Sequence, residues 1–125
     1  MKLPNIHIIT EDTIFSSIIY RLLLNRFGKI NFTQSHNLFE LKSNSSGKVY
    51  DAVLLDNFIA GTSQFELLAY LRNNKEICAP ILYFTNNTLD ENGALAAGAT
   101  KVINKPFVPD GLVDQIQFFT TLVNE

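Results

Sequence analysis

Five times along its 125 residues the chain passes from a short apolar run to a helical stripe, and that alternation restricts its fold more than any other feature. The sharpest run is Asp51-Ala52-Val53-Leu54-Leu55-Asp56. Its centre is apolar at successive positions, so both faces of the strand need cover. Ile6-His7-Ile8-Ile9, Ile30-Asn31-Phe32-Thr33, Ala79 to Thr85 and Lys101-Val102-Ile103-Asn104 read as four more strands. Between the first two, Phe15, Ile18, Ile19, Leu22 and Leu23 recur at helical spacing, with Asp12 or Thr13 as cap and Gly28 as stop. Leu38 to Leu41 reads as a short second helix before the loop signal Ser43-Asn44-Ser45-Ser46-Gly47. Phe65 to Arg72 reads as a third helix, with Phe65, Leu68 and Leu71 on one side. Leu89 to Ala97, stopped by Gly98, is a weaker fourth. Leu112, Ile116, Phe119 and Val123 mark the core stripe of a fifth.

Strands alternating with helices over short connections imply a parallel sheet with helices on both faces. Right-handed crossovers then leave few topologies, and at this length the flavodoxin-like order 2-1-3-4-5 is expected, two helices on one face and three on the other. Residues 1–125 read as a single domain, without a linker or a second repeat.

Composition removes several classes of function. Apolar residues make up 46% and charged residues 18%, too apolar for a disordered chain. Ten Lys+Arg against twelve Asp+Glu give a net charge of −2, so direct nucleic-acid binding by phosphate neutralisation is not expected. A lone cysteine, Cys78, precludes an internal disulfide and a cysteine-based zinc cluster. No apolar run approaches the ~18 residues of a membrane span. The start has no signal-peptide pattern, and a soluble cytoplasmic domain is the expectation.

Open parallel sheets bind ligands beyond the C-terminal ends of their strands. Glu11 and Asp12 follow the first strand, Asp56 ends the third, Thr85 ends the fourth and Lys105 follows the fifth. In the expected order these groups converge. Three carboxylates suit a hard divalent cation, Mg²⁺ above all, and an ammonium and a hydroxyl suit a phosphoryl group. The carboxylates of Asp12 and Asp56 are expected to lie close enough to repel when no cation is bound.

This arrangement resembles the receiver domain of two-component response regulators. The resemblance rests on Ile8-Ile9-Thr10-Glu11-Asp12, on Tyr50 to Asp56, and on Thr85, Ala96-Ala97-Gly98-Ala99 and Lys105-Pro106-Phe107, all in order along the chain. It implies a phosphoacceptor at Asp56, charged by a partner histidine kinase or phosphotransfer protein in a Mg²⁺-dependent step. It implies Asp12 and Asp56 as metal ligands, with Glu11 assisting and the backbone carbonyl of Phe58 completing the set. Thr85 would bond a phosphoryl oxygen and shift, Lys105 would pair with the group, and the peptide between Lys105 and Pro106 would be cis. The implied output is protein contact: a downstream protein, a fused output domain or a homodimer. The domain would not be an enzyme beyond its own phosphorylation and slow dephosphorylation.

The sequence departs from the family at three places. Asn86 stands after Thr85, where a small residue is usual. Val102 stands where an aromatic usually swings with the switch hydroxyl. Ala60 and Ser63-Gln64 replace the usual proline and Asp-Gly after the acceptor. The alternative is therefore a pseudo-receiver that binds partners without being phosphorylated. A flavodoxin-like flavin carrier is disfavoured, because Thr10 to Phe15 has no glycine and two acids. His7 and His36 read as structural. Tyr20 with Leu24, and Phe118 with Leu122, lie off the core stripes as candidate contact residues.

Overall fold

A computed structural model describes residues 3–45, 49–57, 59, 61–74 and 78–120. Five parallel strands lie in the order β2-β1-β3-β4-β5, as the alternation predicts. The strands are β1 (Asn5–Ile9), β2 (Asn31–Ser35), β3 (Ala52–Asp56), β4 (Ile81–Thr85) and β5 (Lys101–Asn104). The helices are α1 (Thr13–Phe27), α2 (Leu38–Ser45), α3 (Gln64–Asn73), α4 (Asp90–Ala96) and α5 (Pro109–Thr120).

Alternation along each strand sends side chains to two separate cores. Val53, Leu55, Ile81, Tyr83 and Val102 pack with Leu41 of α2, Leu67, Leu68 and Leu71 of α3, and Ala94 of α4. Ile6, Ile8, Leu54, Leu82, Phe84 and Ile103 pack with Ile19 and Leu23 of α1 and Leu112 and Ile116 of α5. Every residue of β3 and β4 is buried, which is why their sequences run apolar without a polar face. Burying one Leu or Ile contributes about 1.5–3 kcal/mol, so these two strands carry much of the fold's stability. Arg26 ties α1 to α5, bonding Asp114 and Gln117 at 2.9 Å each.

Some local expectations need revision. The polar run at Ser43 to Ser45 is helical, because Leu41 and Ser45 are both buried one turn apart and the Ser45 hydroxyl donates to the Leu41 carbonyl. On α1, Ile18 is 48% exposed and leaves the core stripe, whereas Leu24 is partly buried against the core. On α3, Leu67 replaces the more exposed Phe65 on the inner side. On α5, Val113 joins Leu112 and Ile116 in burial, and Val123 and Leu122 lie outside the described residues. His7 is structural as expected: it is buried in β1, with Nε2 2.6 Å from Ser35 Oγ and its ring 4.7 Å from that of Tyr50.

Gly98 ends the turn after α4 with φ of +117°, a conformation L side chains rarely adopt. A Cβ there would run into the Arg72 side chain. Arg72 in turn donates to the carbonyls of Gly98 (2.7 Å) and Ala79 (3.1 Å), fastening the α4–β5 turn to α3. No helix of the described residues is long and apolar enough to cross a membrane.

Candidate functional site

Asp56 is the last residue of β3 and is 4% exposed. A buried carboxylate needs partners, and among the described residues it has three. Lys105 Nζ lies 2.7 Å from Oδ1, the Asn57 amide donates to the same oxygen at 2.8 Å, and Thr10 Oγ1 donates to Oδ2 at 2.7 Å. Asp56 is thus compensated by a cation and two hydrogen bonds.

Lys105 reaches the site from the segment after β5, where the Lys105–Pro106 peptide is cis. Its ammonium also lies 5.4 Å from the centre of the Phe15 ring. Phe15, Phe84 and Phe107 meet edge to face at 5.3–6.3 Å beneath it. The apolar bed directs the lysine stem, and the ring face favours the charge at its end.

Thr10 is a residue of the candidate site that sequence reasoning passed over. It is fully buried just beyond β1, and its hydroxyl accepts from the Asp12 amide at 3.0 Å while donating to Asp56. One hydroxyl therefore ties the acidic turn to Asp56. The signal was present in the register: Ile9 pairs with Leu55, so the next residues, Thr10 and Asp56, are level on neighbouring strands.

Asp12 is exposed and acts as the N-cap of α1, with Oδ1 accepting from the Phe15 amide at 3.0 Å. Glu11 beside it is exposed. The three carboxylates flank neighbouring strand ends, and hard oxygens are the right donors for Mg²⁺. Among the described residues, no three His, Cys, Asp or Glu side chains are gathered into one ion-holding group. The donor types are those Mg²⁺ takes, but the described side chains are not gathered around one point, and Oδ1 of Asp12 is engaged by the helix cap. Phe58, whose carbonyl the resemblance implies as a ligand, lies outside the described residues, as does Ala60.

Thr85 ends β4 and is fully buried. Its hydroxyl donates to Asp90 Oδ2 at 3.0 Å, with the Asn87 carbonyl further away at 3.3 Å. It accepts from the Asn87 amide at 3.0 Å and from Asn57 Nδ2 at 3.4 Å. Tyr83, two residues earlier on the same face, is also fully buried and donates to the same Asp90 oxygen at 3.3 Å. Burial first, and the Asp90 carboxylate second, push the Tyr83 phenol far above its ordinary pKa. Val102 is buried on β5 directly across from Tyr83. An aromatic is thus present at this level of the sheet, on β4 instead of β5. Neither Asp90 nor Tyr83 was singled out from sequence, since no spacing rule links a helix-start acid to a strand.

Asn86 is exposed, and its Oδ1 accepts from Asn57 Nδ2 at 2.9 Å. The amide pair joins the loop after β3 to the loop after β4 beside Asp56. Asn57 is the fourth residue the sequence did not single out.

Solved structures share this fold across nearly the whole chain. One is the chemotaxis response regulator CheY4 of Vibrio cholerae, at TM-score 0.84 and 18% identity, covering 94% of this chain and 99% of that one. Another is the receiver domain of a Pseudomonas aeruginosa sensor histidine kinase with a magnesium ion in its active-site cleft, at TM-score 0.82 and 20% identity, covering 97% of this chain and 100% of that one. A Burkholderia pseudomallei response regulator with a phosphorylated aspartic acid and a calcium ion matches at TM-score 0.78 and 21% identity, covering 94% of this chain and 69% of that one. No protein-family model and no curated protein matches the sequence. The fold is that of the response regulator receiver domains.

Proposed function

We propose that this chain is a signalling receiver that takes a phosphoryl group on Asp56 and relays the change through protein contacts. The observation that carries the reading is the environment of Asp56. A buried carboxylate at a strand end is held between an ammonium, a hydroxyl and a backbone amide.

In the reaction an Asp56 carboxylate oxygen forms a bond to phosphorus while the bond from phosphorus to the donor breaks. With a phosphohistidine donor, the ring nitrogen leaves with the electron pair and the product is an aspartyl phosphate. Lys105 is placed to follow the negative charge from the carboxylate to the phosphoryl oxygens, since a charge-assisted bond strengthens with charge. Thr10 keeps the acceptor carboxylate oriented. Mg²⁺, held by Asp12 and Asp56 with Glu11 and the Phe58 carbonyl, would supply charge neutralisation on the transferring group. The magnesium-bound Pseudomonas and phosphorylated Burkholderia domains support both assignments by analogy of fold. The partners on this reading are a histidine kinase or phosphotransfer protein upstream, and a downstream protein, an attached output domain or a second copy of the chain. The chain acts as an acceptor, with at most its own slow dephosphorylation.

A second reading, a pseudo-receiver that binds partners without phosphorylation, is favoured by one observation. A hydrogen bond from the Asn57 side-chain amide to that of Asn86 crosses beside Asp56, where a phosphoryl group needs room. Incubation with acetyl phosphate and saturating Mg²⁺ separates the two: covalent label on Asp56 supports the receiver, and its absence supports the constitutive module.

A further inference from the structure

We infer that Asp90 is a positioning residue that holds the Thr85 hydroxyl away from Asp56 and, by doing so, couples the occupancy of the acceptor to the seating of α4. The inference rests on the receiver reading and names its internal relay.

A threonine hydroxyl has one proton to donate and two lone pairs to accept with. At Thr85 all three are committed. The proton goes to Asp90 Oδ2 at 3.0 Å, and the Asn87 amide and Asn57 Nδ2 approach the lone pairs at 3.0 and 3.4 Å. A phosphoryl oxygen on Asp56 can receive that proton only if Asp90 loses it. A bond from Thr85 to a phosphoryl oxygen and the Thr85–Asp90 bond are therefore mutually exclusive.

Asp90 is also the first residue of α4, a helix of seven residues whose one buried residue is Ala94. Its N-cap position, Leu89, makes no side-chain capping bond. The N-terminus of α4 is instead fastened to the sheet through the Asp90 carboxylate, which takes the hydroxyls of both Thr85 and Tyr83 on β4. Withdrawal of Thr85 leaves the buried Tyr83 phenol as the remaining hydroxyl on that oxygen. Fewer polar attachments on a helix with little apolar burial lower the local cost of moving it. The relay so defined runs from Asp56 through Thr85 to Asp90 and α4.

The test uses the whole chain, with fluoroberyllate and Mg²⁺ as the phosphoryl mimic. Affinity is measured for the parent, Asp90→Ala, Asp90→Asn, Glu91→Ala, Thr85→Val and the double variant Asp90→Ala/Thr85→Val. Hydrogen exchange of the α4 amides is followed with and without the mimic. Asp90→Ala is expected to bind the mimic roughly tenfold more tightly, because Thr85 no longer has to leave a charged acceptor. Asp90→Asn, which keeps an acceptor oxygen, should return most of the way to the parent. Glu91→Ala removes a charge from the same helix turn without touching Thr85, and should stay within about twofold. In the Thr85→Val background the Asp90 effect should vanish. The mimic should speed α4 exchange in the parent but not in Asp90→Ala, where exchange is already fast. If the parent binds the mimic while Asp90→Ala stays within twofold of it, or gains as much without Thr85, the relay is overturned and the receiver reading stands. If the parent itself does not bind the mimic, the receiver reading fails and takes the relay with it.

Discussion

Lys105 Nζ lies 2.7 Å from Asp56 Oδ1, and the two ends of this pair are unequally buried. The Asp56 side chain is 6% exposed and that of Lys105 is 26% exposed. Removing the lysine strands a carboxylate in the interior. Removing the carboxylate leaves an ammonium that water can reach.

That inequality sets the first prediction. Lys105→Met should destabilise the fold by about 2–3 kcal/mol, an uncompensated buried charge being the cause. Asp56→Asn should cost about 1 kcal/mol or less, since Asn57 and Thr10 can still bond a neutral amide. Urea unfolding of both variants at neutral pH without divalent ions measures the difference. Equal losses would mean that the pair is solvated from both ends.

Asp12 separates a structural from a ligand role. Its side chain caps α1, so Asp12→Ala should lose about 0.5–2 kcal/mol of stability. Asp12→Asn keeps the cap, because Asn ranks with Asp at that position, but removes a charged oxygen donor. We expect near-parental stability and at least tenfold weaker Mg²⁺ binding by calorimetry. Unchanged Mg²⁺ affinity in Asp12→Asn would leave Asp12 as a cap alone.

The sheet order, and with it the meeting of Asp56 and Lys105, was legible in the sequence, and the reasons are local. Val53, Leu54 and Leu55 require cover on both faces, which forces a parallel sheet with two helical layers. That order then brings Asp56, Thr85 and Lys105 to one end. Lys105 and Asp56 accordingly meet, though 49 residues separate them. What stayed hidden were contacts that depend on side-chain direction. Thr85 faces Asp90 and Tyr83, and nothing in the spacing of these residues distinguishes that from facing Asp56. The extension of α2 through Ser45 was hidden for a related reason. Serine has loop propensity in isolation, and only burial beside Leu41 overrides it.

Asn86 should slow access to the acceptor through its bond to Asn57. Breaking an exposed hydrogen bond of about 1 kcal/mol would change a rate about fivefold. Asn86→Ala should therefore be labelled by acetyl phosphate about five times faster than the parent, with unchanged Mg²⁺ affinity. An unchanged rate would mean that the amide pair opens faster than the chemistry proceeds.

The Tyr83 phenol gives a signature at high pH. Its folded pKa is raised by burial and by Asp90 above the ordinary value of 10.0. Above that value the unfolded chain releases a proton that the folded chain keeps, so stability declines as pH rises. The contribution is full below about pH 10 and is lost progressively beyond it. Tyr50, also raised by burial, adds to the decline. Tyr83→Phe should flatten the slope of unfolding free energy between pH 10 and 11 relative to the parent. An unaltered slope would mean that the phenol is not held neutral.

The most direct measurement is the mass and position of covalent label after incubation with acetyl phosphate and Mg²⁺. Intact-mass analysis should show a gain of one phosphoryl group, fragmentation should place it on Asp56, and Asp56→Asn should abolish it. Parent protein that gains no mass with Mg²⁺ saturating, or an Asp56→Asn variant that labels equally well, would contradict the account of Asp56 as a phosphoacceptor.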